Sequence, residues 1–188
     1  MRPAGWRTRA RLIEWSEATG TMPDIRAFWQ ATNPLSQWHP APFTVNGVTY
    51  PTAEHWMMAA KAHLFGDMAA LELVMAADTP KAAKAAGRTV AGFDETLWAA
   101  RRRDYVTAGN VHKFTAHPHL AEALTCTGTS VLVEASPHDL IWGAGLAAND
   151  PAIRNPKQWP GLNLLGFALM DVRDILNQRT AEQPDTAA

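Results

Sequence analysis

The stretch Tyr50-Pro-Thr-Ala-Glu-His-Trp-Met-Met-Ala-Ala-Lys-Ala-His-Leu-Phe-Gly66 constrains the fold more than any other part of the chain. Thr52 is a residue type that caps the free amides of a helix start, and Gly66 one that ends a helix in the left-handed conformation. The Ala, Met and Leu residues between them favour helix. Glu54, Met58 and Lys61 are spaced four and then three apart, so a helix puts them on one face. Trp56, Met57, Ala59, Ala60, Leu64 and Phe65 leave little of the remaining surface polar. A helix that is apolar nearly all round is a buried helix, and a charge carried inside needs a partner or a task. The alternative is that Glu54 and Lys61 stand on a solvated face, where most helix charges are found.

The rest of the chain can be arranged around this helix. Its 188 residues suit one domain, read as an N-terminal extension over 1–21, a domain over 22–178 and a flexible tail over 179–188. In the extension, residues 6–19 form a short amphipathic helix ended by Gly20. Residues 25–29 read as a strand, and the proline-rich 33–42 segment as loop. Phe43 to Tyr50 is a hairpin around Asn46-Gly47. Further helices are expected over 67–77, from Thr79-Pro80 to Gly87, from Asp94 to about Ala116, from Pro118 to Gly128, and from Leu162 to Asn177. Residues 130–135 are apolar enough for a buried strand. The strands at 25–29, 43–50 and 130–135 would make a small sheet against a helical body, so the fold class is α+β, mainly α-helical.

Composition removes several functions. A net charge of −1 does not suit non-specific wrapping of DNA. No apolar run is long enough to span a bilayer, and the arginines of the first residues run into Leu12-Ile13-Glu14-Trp15 rather than a leader's apolar core. With a single cysteine, Cys126, a cytoplasmic setting is expected. Seven histidines are present, none in a helical pair with a flanking Glu, so no metal is expected. Ser36, Ser136 and Cys126 lack the settings that activate a nucleophile. Acidic groups, a lysine and tryptophans remain, a set suited to a flat base and an anionic sugar phosphate. Asp139 lies in the loop leaving the 130–135 strand, a common place for functional side chains, although Asp also serves turns structurally. Trp142-Gly143-Ala-Gly145 follows, an aromatic plate beside glycines that permit close approach.

A series of short motifs in order then carries a family resemblance. Phe28 with Asn33-Pro-Leu-Ser36, Pro42-Phe43, Tyr50-Pro51, Glu54-His55, Lys61-Ala62, Gly87-Arg88, Trp98, Arg101, Lys113-Phe114, Leu132-Val-Glu-Ala-Ser-Pro137, Asp139, Ile141-Trp-Gly143 and Asn163-Leu-Leu-Gly166 together resemble the NADAR (YbiA-like) family over roughly residues 25 to 176. The chain departs from the commonest pattern at Gln37, where Asn usually follows the Leu-Ser motif, and at Met58 and Ala60, where Gln often stands.

The resemblance implies a single YbiA-like domain and an N-glycosidase without cofactor. Its expected substrates are riboflavin intermediates, cleaved between ribose 5-phosphate and an amino-pyrimidine. Other branches of the family are linked to ADP-ribose, including its removal from guanine in DNA. By motif, the catalytic set falls on Glu54, Trp98 and Asp139, with Lys61 beside them. Substrate contacts fall on Trp142, Gly143, Asn33, Ser36, Phe28 and Arg101. Glu54 is expected to stabilise the sugar cation or activate water, Asp139 to hold ribose hydroxyls or the water, and Trp98 and Trp142 to stack on the base. Lys61 or Arg101 would bind phosphate, and Lys61 has a second option, an imine with the opened sugar. The expected partner is a small phosphoribosyl or ADP-ribosyl compound. Nucleic acid is not favoured, since its only basic strip would be Arg101-Arg-Arg103 with Lys113. A non-catalytic module that binds ADP-ribose or a nucleotide is the remaining alternative.

Overall fold

The computed structural model describes residues 8–182. The described residues form two compact units, one of residues 37–118 and one of residues 8–36 together with 119–182.

The 37–118 unit opens with an antiparallel hairpin in which β2 (Phe43–Val45) pairs with β3 (Val48–Tyr50), and Asn46 and Gly47 take φ of 50° and 82° at the turn. These are the positive values that a two-residue hairpin turn demands. Four helices follow, α2 (Ala53–Leu64), α3 (Met68–Met75), α4 (Pro80–Gly87) and α5 (Glu95–Ala116), and α2 packs against the other three. The start of α2 is bolted twice. The Thr52 hydroxyl accepts from the amide of His55 and lies 2.8 Å from its Nδ1, while His55 Nε2 lies 3.0 Å from the Ala77 carbonyl beyond α3. A carbonyl only accepts, so Nε2 carries the proton and Nδ1 receives the threonine O–H. Two helix-to-helix approaches depend on missing side chains. A Cβ on Gly87 would overlap the Met58 sulfur, and one on Gly109 would overlap the Trp56 indole, whose Nε1 donates to the Tyr105 carbonyl at 2.8 Å.

The other unit contains α1 (Arg9–Thr19), β1 (Ile25–Phe28), most of α6 (Pro118–Thr125), β4 (Val131–Glu134), two short 3-10 turns at Pro151–Arg154 and Pro156–Gln158, and α7 (Leu164–Glu182). β1 and β4 pair in parallel, from Ile25 opposite Val131 to Phe28 opposite Glu134. Val131, Leu132 and Val133 are fully buried, as a run without alternation requires. α7 closes over β4, and a Cβ on Gly166 would collide with the Leu132 carbonyl. Arg173 is buried beneath this helix and donates to the Ser130 carbonyl at 3.0 Å.

Three expectations change. The strands form two separate pairs rather than one small sheet. α7 runs on to Glu182, past the expected stop at Asn177, because nothing in Gln178 to Glu182 breaks a helix already propagating. The N-terminal helix is no loose appendage: Leu12 is fully buried, Arg9 Nε donates to the Pro156 carbonyl at 2.9 Å, and Glu17 pairs with Lys157 at 2.7 Å. Its expected first residues, 6 and 7, and the end of the expected flexible tail, 183–188, lie outside the described residues. No helix among the described residues is long and apolar enough to cross a membrane.

Candidate active site

In the 37–118 unit the first turn of α2 delivers Glu54. The side chain is 2% exposed, so the solvated-face reading fails for it. Its position at the helix start places a carboxylate at the positive end of the helix dipole. The Glu54 amide donates to the Gln37 carbonyl at 3.1 Å, which fixes the backbone from which the carboxylate projects. One face further along, Met58 is buried and Lys61 half-buried. Lys61 Nζ donates to the Gly87 carbonyl at 2.8 Å and stands 4.1 Å above the Phe93 ring. Burial lowers its pKa, the nearby Glu95 pulls it back up, and Arg88 lowers it again. Lys61 thus closes the C-terminal end of α4, where carbonyls attract a cation.

Trp98, on α5, is 7% exposed and stacks on Tyr105 with ring centroids 6.2 Å apart. The arginine sharing their side of the helix is Arg102, buried and bound through Nη1 to Glu95 at 3.1 Å, whereas Arg101 is exposed. Lys113, on the same helix, is fully buried, and desolvation lowers its pKa from 10.5 to about 7. The basic strip expected of Arg101-Arg-Arg103 with Lys113 therefore does not form: two of its members are inside the protein, out of reach of a phosphate backbone.

In the other unit the candidate residues gather at the C-terminal ends of the parallel strands, where α/β arrangements place ligands. β1 leads into the loop with Asn33 and Ser36, and β4 into the loop with Asp139, Trp142 and Gly143. Asn33 Oδ1 accepts the Leu35 amide at 3.0 Å, and Ser36 is buried. Asp139 is half-buried, and its Oδ1 accepts the amides of Ile141 at 3.0 Å and Trp142 at 2.7 Å. The structural use of Asp at a turn is thus real here, and it also sets the carboxylate's direction. Gly143 is required by crowding, since a Cβ would stand 2.9 Å from the Asp139 carbonyl oxygen. The loop is laced to the start of α7: the amides of Leu162, Asn163, Leu164 and Leu165 donate to the carbonyls of Leu140, Gly143, Ile141 and Trp142 at 2.9–3.1 Å. Those carbonyls take the amides that a helix start leaves over.

Phe28, at the end of β1, is 3% exposed, and its neighbour Trp29 is 43% exposed. Two residues at this edge escaped notice as individuals. Glu134 ends β4 opposite Phe28. Asn163, at φ 54° and fully buried, accepts the Glu134 amide at 3.0 Å and donates to the Leu132 carbonyl at 2.9 Å, completing the free edge of β4 like an added strand. Both stand in motifs of the resemblance, Leu132-Val-Glu-Ala-Ser-Pro137 and Asn163-Leu-Leu-Gly166, but nothing local gave either a task. Among the described residues no group of three His, Cys, Asp or Glu side chains is disposed to hold a metal.

Residues 27–177 match the NADAR domain family, and the chain belongs to that family. It is similar to the N-glycosidase R617 of Acanthamoeba polyphaga mimivirus, with 43% identity over 145 residues that span 74% of this chain and 85% of that protein. It is 38% identical over 132 residues to the riboflavin biosynthesis protein PYRR of Zea mays, covering 66% of this chain and 19% of that longer protein. The NMR structure of the E. coli protein YbiA shares the fold, with a TM-score of 0.70 at 24% identity over 89% of this chain and 94% of that one.

Proposed function

We propose that this protein hydrolyses the N-glycosidic bond between ribose 5-phosphate and an amino-pyrimidine in riboflavin biosynthesis intermediates. The class, a hydrolase acting on N-glycosyl bonds, is supported by relatives named N-glycosidase along most of their length. The substrate is supported by the likeness to the maize riboflavin protein. The observation that carries the chemistry is the burial of Glu54 at the head of α2.

Breaking an N-ribosyl bond leaves the electron pair on the departing nitrogen and builds positive charge on the sugar ring. The oxygen of a water molecule then bonds the anomeric carbon, and the proton balance is closed on the base. A carboxylate held away from bulk water stabilises that cation far better than a hydrated one, because the local dielectric is low. Glu54 fills this role, or takes the proton from the attacking water. In the same unit Trp98 serves the base and Arg101, exposed on α5, the phosphate. In the other unit Asp139, its carboxylate aimed by two loop amides, and Trp142 are the groups offered to a ribose hydroxyl or water and to a base. Lys61 is engaged with Gly87 and Phe93, which favours hydrolysis led by Glu54 over an imine at Lys61.

The test is mass spectrometry of base released from a panel of ribosylamino-pyrimidine phosphates, ADP-ribose compounds and ADP-ribosylated DNA. Release from the pyrimidines is expected, with the Glu54→Gln variant slower by roughly two to four orders of magnitude. Release from ADP-ribosylated DNA alone would replace the substrate. Tight binding with no release from any compound would replace the reaction by a binding function.

A further inference from the structure

The head of α2 is tied to α5 through one side chain. The Gln37 carbonyl accepts the Glu54 amide at 3.1 Å, one of the amides that a first helical turn leaves without an acceptor in its own helix. Gln37 is held in turn from α5: Asn110 Nδ2 donates to Gln37 Oε1 at 2.8 Å and to the Val106 carbonyl at 2.8 Å. These bonds fix both carboxamides. The Val106 carbonyl only accepts, so Asn110 must turn its nitrogen that way, and Gln37 must then meet that nitrogen with oxygen. A relay thus runs from α5 through Gln37 to the backbone of Glu54, all of it inside the 37–118 unit.

This pair is a poor choice if stability is its purpose. Gln37 is 6% exposed and Asn110 fully buried, yet among the described residues Gln37 Nε2 and Asn110 Oδ1 meet no hydrogen-bond partner. A half-satisfied amide pair in the interior weakens a fold relative to an apolar pair of the same shape. What the pair does achieve is orientation, since a carboxamide bolt has one geometry where two methylene chains would have many. The residue at the output of that bolt is Glu54.

We propose that Gln37 and Asn110 are positioning residues for Glu54, fixing the first turn of α2 and hence the direction in which its carboxylate is presented during N-glycosidic cleavage. The inference rests on the reading that Glu54 is the catalytic carboxylate. Neither side chain touches the reacting atoms; both act through the backbone of residue 54.

The experiment compares Gln37→Met, Asn110→Leu, their double variant and Glu54→Gln for melting temperature and for kcat and KM on a ribosylamino-pyrimidine 5-phosphate. Asn110→Leu, which leaves buried Gln37 Oε1 without its donor, is expected to melt below the parent, and Gln37→Met and the double variant Gln37→Met/Asn110→Leu near or above it, while kcat of the folded protein falls in each by about tenfold to a hundredfold, the scale of a small misplacement, with KM nearly unchanged. Adding Gln37→Met to Glu54→Gln should slow the reaction no further. The inference is overturned if kcat in both apolar variants matches the parent, or if KM rises with kcat preserved, which would make the amide a substrate contact. It is equally overturned if activity falls only in step with folded protein. Should Gln37→Met fail to fold, Asn110→Leu decides, since Gln37 is intact there; failure of both to fold makes the pair structural and ends the inference. Full activity in Glu54→Gln would sink the assignment of Glu54 itself, whereas an inactive Glu54→Gln beside a fully active Gln37→Met would sink only the relay.

Discussion

Lys113 gives the fold a dependence on pH that can be worked out in sign and size. The side chain is fully buried on α5, and loss of hydration pulls its pKa from 10.5 to about 7. In the unfolded chain the ordinary value returns. Between those two values the unfolded state holds a proton that the folded state has released, so stability rises with pH across that window and is lowest below it. A full pH unit is worth about 1.4 kcal/mol, and with the folded group half-titrated at neutrality the gain from about pH 7 to about pH 9 is roughly 2 kcal/mol. For a chain of this size that is about 4–8 °C in melting temperature. Other groups titrate in the same range, so the informative quantity is the difference from Lys113→Met, which keeps the length and removes the proton. Urea unfolding followed by circular dichroism at several pH values should show the parent gaining on the variant as pH rises. Parallel profiles for the two proteins would refute the assignment of a neutral-range pKa to a desolvated Lys113.

Two further changes probe the strand unit. Gly166→Ala drives a Cβ into the Leu132 carbonyl oxygen, a backbone atom that cannot step aside, and is expected to destabilise by about 1–3 kcal/mol, read as a lower urea midpoint with an unchanged slope. Asp139→Asn keeps an oxygen to accept the Ile141 and Trp142 amides and removes the charge, so activity should fall with the melting temperature nearly held. Asp139→Ala loses both and should lower activity and stability together; equal activity in parent and Asp139→Asn would limit Asp139 to its turn.

Local chemistry made the helices legible. Thr52, Thr79 and Asp94 each accept an amide at a helix start, as their types and positions suggest. The burial of Glu54 could be argued from the apolar residues around it, because a helix with no polar face has nowhere to put a solvated one. What stayed hidden depends on contacts between distant segments. The choice between Arg101 and Arg102 beside Trp98 rests on a few degrees of helix rotation, and the exposed Glu95 carboxylate settles it for Arg102. Asn163 falls at the start of the expected Leu162–Asn177 helix, and only β4, 29 positions away at Glu134, gives its side-chain amide a purpose. Gln37 stood out as a departure from the family's habit, but its bond to Asn110 spans 73 positions and could not be read locally.

The lacing of Leu140, Ile141, Trp142 and Gly143 to the first amides of α7 bears on how such a protein can be re-engineered. Transplanting the 136–145 loop from a relative by itself would bring foreign carbonyl directions to a helix start built for the native ones. The two segments form one cassette, to be exchanged together.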